Sequence, residues 1–193
     1  MLESASLRLV PLAEEHAAPL LAIGSAHAEE FALTSAPTDE EQARAYFATA
    51  FAEREAGTAY PFAVLHRASG EVMGSTRLAD FSWRHLNCEL GYTWFHPRYY
   101  GSSVNAESKL LMLSLAFDGL GLHRVQIHTD TRNERSQRAI RALGAEEEGV
   151  LRRHMVVKGG FVRDTLVFSV VDLEWPRVRA VIEERLRRRG VEP

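Results

Sequence analysis

A chain of 193 residues with 46% hydrophobic and 25% charged side chains is long enough to bury one sizeable core. Its net charge of −3 provides no general attraction to nucleic acid or anionic membrane, and no apolar run is long enough to cross a bilayer. A single cysteine, Cys88, excludes an internal disulfide, and the opening MLESASLRLVPLAEEH lacks the basic-then-apolar order of a secretory signal. A cytoplasmic protein folded as one domain over residues 1–193 is expected.

The alternation of Leu7 to Leu12 predicts a first strand, and residues Glu14 to His27 predict a helix facing the core with Ala17, Leu20, Leu21 and Ile23. Thr38 with Glu41 three positions on reads as a capping box that opens a second helix, stopped by Gly57 after Ala56. These two helices precede every site residue identified below and are expected to shape a substrate pocket. Tyr60 to His66 and Val72 to Phe81 form two strands joined by the hairpin turn Arg67–Glu71. Asn87 to Phe95 is the next strand. Its alternation places Cys88, Leu90, Tyr92 and Trp94 on one face and Asn87, Glu89, Gly91 and Thr93 on the other.

After Gly101 a helix runs to about Leu120, apolar on nearly every side and therefore expected to be buried. Arg124 to Thr129 is a strand and Asn133 to Leu143 a helix stopped by Gly144. Strand, helix, strand and helix in that order imply a parallel strand pair. Glu148 to Val157 and Arg163 to Val171 read as a closing hairpin, and a last helix opens at Glu174–Trp175–Pro176 and ends near Arg189. The order β-α-α-β-β-β-α-β-α-β-β-α predicts one α/β domain.

Two segments carry candidate chemistry. In Arg98–Tyr99–Tyr100–Gly101–Ser102–Ser103–Val104 a strand gives way to a helix through a glycine that can take positive φ or approach a ligand closely. Free N–H groups and the positive helix dipole at such a start suit a phosphate, although an ordinary start capped by Ser102 or Ser103 shares the pattern. In Asn133–Glu134–Arg135–Ser136, the serine shares a helical face with Ile140 and Leu143 and so begins the inward stripe at the ends of the parallel strands. A bond from Ser136 to nearby backbone is the plainer reading.

Together, RYYGSS and NERSQRAIRALGA resemble the GNAT superfamily of acetyl-coenzyme A-dependent N-acetyltransferases. The first is similar to the family's phosphate loop at Arg98 and Gly101, with Ser103 where glycine or alanine is usual. The closing FVRDTLVFSVVDLEWP is similar to the Rim-type branch, which acetylates ribosomal-protein N-termini. The resemblance implies a mixed, mostly antiparallel splayed sheet flanked by helices, an acetyl-CoA cosubstrate, and direct attack by a primary amine in a ternary complex. It implies that backbone N–H groups around Gly101, Ser102, Ser103 and Val104 hold the pyrophosphate. The backbone of Thr93, Trp94 and Phe95 would pair with the pantetheine arm, and one N–H there would support the thioester oxyanion. Asn133 would touch the pantetheine, Ser136 the sulfur and departing thiolate, and Arg98, Arg135 or Arg138 the adenosine phosphates.

Only a neutral amine attacks a thioester, which calls for a general base. Mid-strand Glu89 is the leading candidate, with an ion pair to Arg77 as the structural alternative; His85, His96 and His128 rank below it. The eight histidines show no metal-ligand spacing, GSS is no nucleophile elbow, and Cys88 reads as a buried thiol. The arginine tail, Arg185 to Arg189, reads as a solvated helix end, with RNA contact as the minor reading. The acceptor is a protein N-terminus or a small amine. A coenzyme A-binding module without turnover is the alternative, and the chain is compatible with a monomer or a homodimer.

Overall fold

The computed structural model describes residues 1–192. Eight strands form one sheet: β1 (Leu2–Glu3), β2 (Leu7–Pro11), β3 (Tyr60–His66), β4 (Val72–Ser82), β5 (Asn87–Phe95), β6 (Arg124–Asp130), β7 (Glu146–Val156) and β8 (Val162–Val171). Their order is β1-β2-β3-β4-β5-β6-β8-β7, antiparallel at every step but one. The exception is the expected parallel pair, β5 with β6. Five α-helices flank the sheet: α1 (Ala17–Ala26), α2 (Glu40–Glu55), α3 (Val104–Ser114), α4 (Glu134–Arg141) and α5 (Trp175–Arg187).

Period-two alternation along the strands supplies two cores. On β3, Phe62 and Val64 face the larger core with Leu110, Leu113, Ile140, Val178 and Ile182 of α3, α4 and α5. Ala63 points the other way, to Leu20, Tyr46, Phe47 and Ala50 of α1 and α2. The sheet is therefore sandwiched, with α1 and α2 on one face and α3 to α5 on the other.

Several local expectations shift. The N-cap of α2 is Asp39, whose Oδ1 accepts the Gln42 N–H at 2.8 Å, while Thr38 donates to the Gln42 side chain. The expected Thr38–Glu41 capping box does not form: Asp39 caps the helix by a single side-chain bond to its backbone, and the Gln42 side chain reaches back to the Thr38 N–H instead of to that of the N-cap. The α1 region begins as a 3-10 turn, Glu14–His16, and α3 stops being α-helical at Ser114 and continues as a π turn, Leu115–Gly119.

The largest correction concerns β5. Ser75 pairs with Trp94 but Arg77 pairs with Gly91, so three steps on β5 face two on β4. This is a bulge, centred on Tyr92, whose φ is +53°. The Tyr92 ring lies 4.1 Å from the Arg77 guanidinium, which is buried and also anchored to Glu53 at 2.6 Å. The extra residue reverses the alternation: Cys88 and Leu90 lie in the larger core, whereas Trp94 joins the smaller one. The four residues expected on one face are thus divided between two.

Candidate active site

β5 and β6 pair at only three positions, the last being Glu89 with Gln126. Both strands continue, β5 to Phe95 and β6 to Asp130, but they diverge. A bulge bends the strand that carries it, and here the bend follows the last pair. The gap opens into a cavity of about 470 Å³. One wall is β5 from Glu89 to Phe95, the other is β6 with the first turns of α4, and Gly101, Ser102, Asn105 and Lys109 close the end under α3. At the opposite end, residues 32–35 and the β7–β8 turn meet, joined by a bond from Lys158 Nζ to the Ala36 carbonyl.

The loop before α3 has the features an anion site needs. Gly101 takes φ +77°, which a side chain would strain. Ser102 Oγ donates to the Tyr99 carbonyl at 2.6 Å and accepts the Val104 N–H at 3.3 Å. Ser103 occupies the N-cap position without a side-chain bond. Among the described residues, the N–H groups of Gly101, Ser103 and Asn105 find no acceptor. They stand at the positive end of an 11-residue helix, so a pyrophosphate fits the donors present.

The open edge of β5 suits an extended amide-bearing ligand. The His96 N–H bonds Met73 at 2.8 Å on the β4 side, so alternation turns the Phe95 N–H toward the gap. Facing it, Asn133 Oδ1 caps α4 by accepting the Ser136 N–H at 3.0 Å. The Ser136 hydroxyl, for which a backbone partner was the plainer reading, makes no bond within the described residues and lies on the cavity wall.

Glu89, Thr93, Trp94, Phe95, Gly101, Ser102, Asn133 and Ser136 therefore share one cavity. Arg98 does not. Its guanidinium is held outside by Glu71 and the Tyr99 hydroxyl. Ser103 and Val104 contribute to the helix start without lining the cavity. Arg138 is paired with Glu134 at 3.1 Å, whereas Arg135 stacks 3.8 Å over the Tyr100 ring on the cavity wall. Arg189 of the tail donates to the Gly101 carbonyl, a contact with the loop that its place in a basic run did not signal.

The ion pair between Glu89 and Arg77, the structural alternative, does not form; Arg77 pairs with Glu53. Glu89 Oε2 instead lies 2.7 Å from His128 Nδ1, and both side chains are mostly buried, 15% and 12% exposed. His154 stands edge-on to His128, ring centres 6.0 Å apart, delivered by an irregular stretch of β7 in which Arg153 takes φ +49°. Asp80 also faces the cavity, and burial together with the Glu89 charge raises its pKa. Cys88 behaves as expected: burial, with Glu89 and Asp80 nearby, pushes its pKa up to about 12. Lys109, unremarked in the sequence, is wholly inside, and burial brings its pKa down to about 7 against the opposing pull of Glu89. A lysine within an apolar helix was the signal available for it.

The chain is similar to known proteins. YoaA of Bacillus subtilis (strain 168), an uncharacterized N-acetyltransferase, is 31% identical over 105 residues; the match covers 54% of this chain and 58% of YoaA. The chain thus spans less than two thirds of that relative. A T. thermophilus protein assigned to the acetyltransferases superposes with a TM-score of 0.84 at 37% identity, covering 96% of each chain. Mycobacterium smegmatis RimJ, solved in complex with CoA-disulfide, has a TM-score of 0.79 at 21% identity over 98% of this chain and 95% of its own, a likeness of fold. Residues 6–146 match the acetyltransferase (GNAT) domain, and the chain belongs to that family.

Proposed function

We propose that the protein transfers the acetyl group of acetyl-CoA to a primary amine, and that this amine is the α-amine of a protein or peptide. The observation that supports it most is the splay itself: one cavity joins a loop with free N–H donors, an unpaired strand edge and a buried carboxylate–imidazole pair. The cosubstrate's pyrophosphate sits on the N–H groups of Gly101, Ser103 and Asn105, its pantetheine along Thr93 to Phe95, and its sulfur near Ser136. The amine enters between residues 32–35 and the β7–β8 turn. Glu89, oriented by His128, takes the ammonium proton directly or through one water, and the freed nitrogen attacks the thioester carbon; as the C–S bond breaks the departing sulfur takes the Ser136 proton, and the nitrogen returns its remaining extra proton to Ser136 through water, leaving a neutral amide and the free thiol. An α-amine, with a pKa near ~8 against about 10.4 for lysine, needs less help from that base.

Thermal unfolding with and without 1 mM acetyl-CoA tests the cosubstrate. At roughly a hundredfold excess over Kd the added stability is ~2.7 kcal/mol. For a chain of this length that raises the midpoint by roughly 5–11 °C. Gly101→Val, which places a branched side chain at positive φ, abolishes the shift. A folded protein with no shift at saturation rejects the site. Thiol release with peptides bearing free N-termini, against N-acetylated peptides and small amines, then tests the acceptor. Binding without release from any amine would favour a coenzyme A-binding module instead.

A further inference from the structure

Lys109 is the group in this molecule whose place is hardest to justify by stability. It lies on α3, 4% exposed, and faces the splay beneath β5. Among the described residues, no carboxylate lies within 4.0 Å of its Nζ, and that atom has one protein partner, the Thr93 hydroxyl at 3.0 Å. An ammonium has three donors, so two are left without a protein partner among the described residues. Burying a cation without a paired anion opposes folding, and a methionine of similar length would fill the same space at no such cost. A charge-bearing group that opposes folding, placed on the wall of the cavity, points to a task.

The hydrogen-bond pattern says which task. Thr93 Oγ1 is 2.8 Å from Thr76 Oγ1 on β4 and 3.3 Å from the Gly91 carbonyl, two residues earlier on its own strand. Gly91 and Thr93 flank Tyr92, the extra residue of the bulge, so the bond between them spans it. Lys109 Nζ is the donor in this bond, so Thr93 Oγ1 is the acceptor on that side and its hydroxyl proton is left for Gly91 or Thr76. The bulge is thereby closed by a donor that enters from α3, the helix whose first turn forms the phosphate loop. We propose that Lys109 is a positioning residue for acetyl transfer, holding Thr93 in the bulge so that the open edge of β5 meets the thioester at the correct distance. This rests on the acetyl-transfer reading above. In its protonated form the same amine contributes positive potential to the cavity in which the thioester oxygen becomes negative.

The test compares Lys109→Met, Thr93→Val and the double variant with the unmodified protein. Lys109→Met is expected to unfold at the same temperature or higher and to keep the thermal shift with acetyl-CoA. Its kcat falls, by about tenfold to hundredfold as expected for a misplaced reacting group, while KM for acetyl-CoA stays within a factor of about two. Thr93→Val loses a comparable factor, and the double variant loses little more than either single one, because both break one linkage. Amide hydrogen exchange of residues 91–95, measured without any ligand, quickens in Lys109→Met. Unchanged kcat and unchanged exchange in the folded variant overturn the proposal, as do losses that multiply in the double variant. The exchange measurement stands apart from turnover, so an unmodified protein that acetylates nothing rejects the acetyl-transfer reading while exchange still reports whether Lys109 holds the bulge.

Discussion

Glu89 reaches the cavity because it sits on the last paired step of β5 and β6, where the sheet still fixes its backbone but the gap has begun. His128 comes from the opposite strand two residues past that step, so the carboxylate–imidazole pair bridges the two arms of the splay. Glu89→Gln keeps the size and removes the base, and kcat is expected to fall by about a hundredfold to ten-thousandfold, read by steady-state thiol release. Retention of unmodified kcat in that variant rejects Glu89 as the base. The assay is not confounded by the protein's own thiol. Cys88 is 1% exposed with its pKa raised to about 12, so the folded protein should release no colour with a thiol reagent at neutral pH until denaturant is added. A different carboxylate governs acid tolerance. Arg124 and then Ser169 hold Glu148 down to about 2 from an ordinary value of 4.5. A depressed carboxylate pKa adds stability that is complete above pH 4.5 and is lost as pH falls through about 2. The urea midpoint of the protein should drop across that window, and Glu148→Gln should flatten the drop; the pair is partly exposed, so the effect is modest.

At the scale of the element, what the sequence reveals depends on how local the cause is. β3 and β4 with their turn, the parallel pair around α3, and the inward stripe of Ser136, Ile140 and Leu143 were legible, since period and turn residues act over a few positions. The reversal on β5 was not. Cys88-Glu89-Leu90-Gly91-Tyr92-Thr93-Trp94 reads as unbroken alternation, and the extra residue exists because Arg77, fastened to Glu53 of α2, seats the Tyr92 ring. That cause lies on two other elements. The alternative pairing of Glu89 with Arg77 failed for the same reason: the guanidinium pairs with Glu53 of α2. Arg98 was placed at the phosphates by its position in the loop, yet the β3–β4 turn supplies Glu71 to hold it. The contact of Arg189 with Gly101 had no local cue, and Arg189→Ala should raise KM for acetyl-CoA by about two- to tenfold, the worth of one such bond, with kcat unchanged. Unaltered KM would show the contact to be idle.

On the scale of the whole molecule, the two cores carry different duties. The larger one, under α3 to α5, holds the splayed strands from below, and the smaller one, under α1 and α2, holds the bulge and Trp94 from above. Leu113 of α3 is fully buried in the former, and Leu113→Ala should lower unfolding free energy by about 2–5 kcal/mol, measured by denaturant titration. The architecture as a whole was legible in the order of elements together with the family resemblance. The cavity between the diverging strands was not, because its walls come from residues scattered from 32 to 163.

The bond from Arg189 to the Gly101 carbonyl has a bearing on how the protein is handled. It makes the last turn after α5 part of the neighbourhood of the phosphate loop, 88 residues away in sequence. On the proposed placement of acetyl-CoA, peptides or reporter domains fused behind that helix should crowd the loop and mimic a binding defect, so a panel of fusions joined at the two ends of the chain would distinguish an intrinsic affinity from one imposed by the fusion.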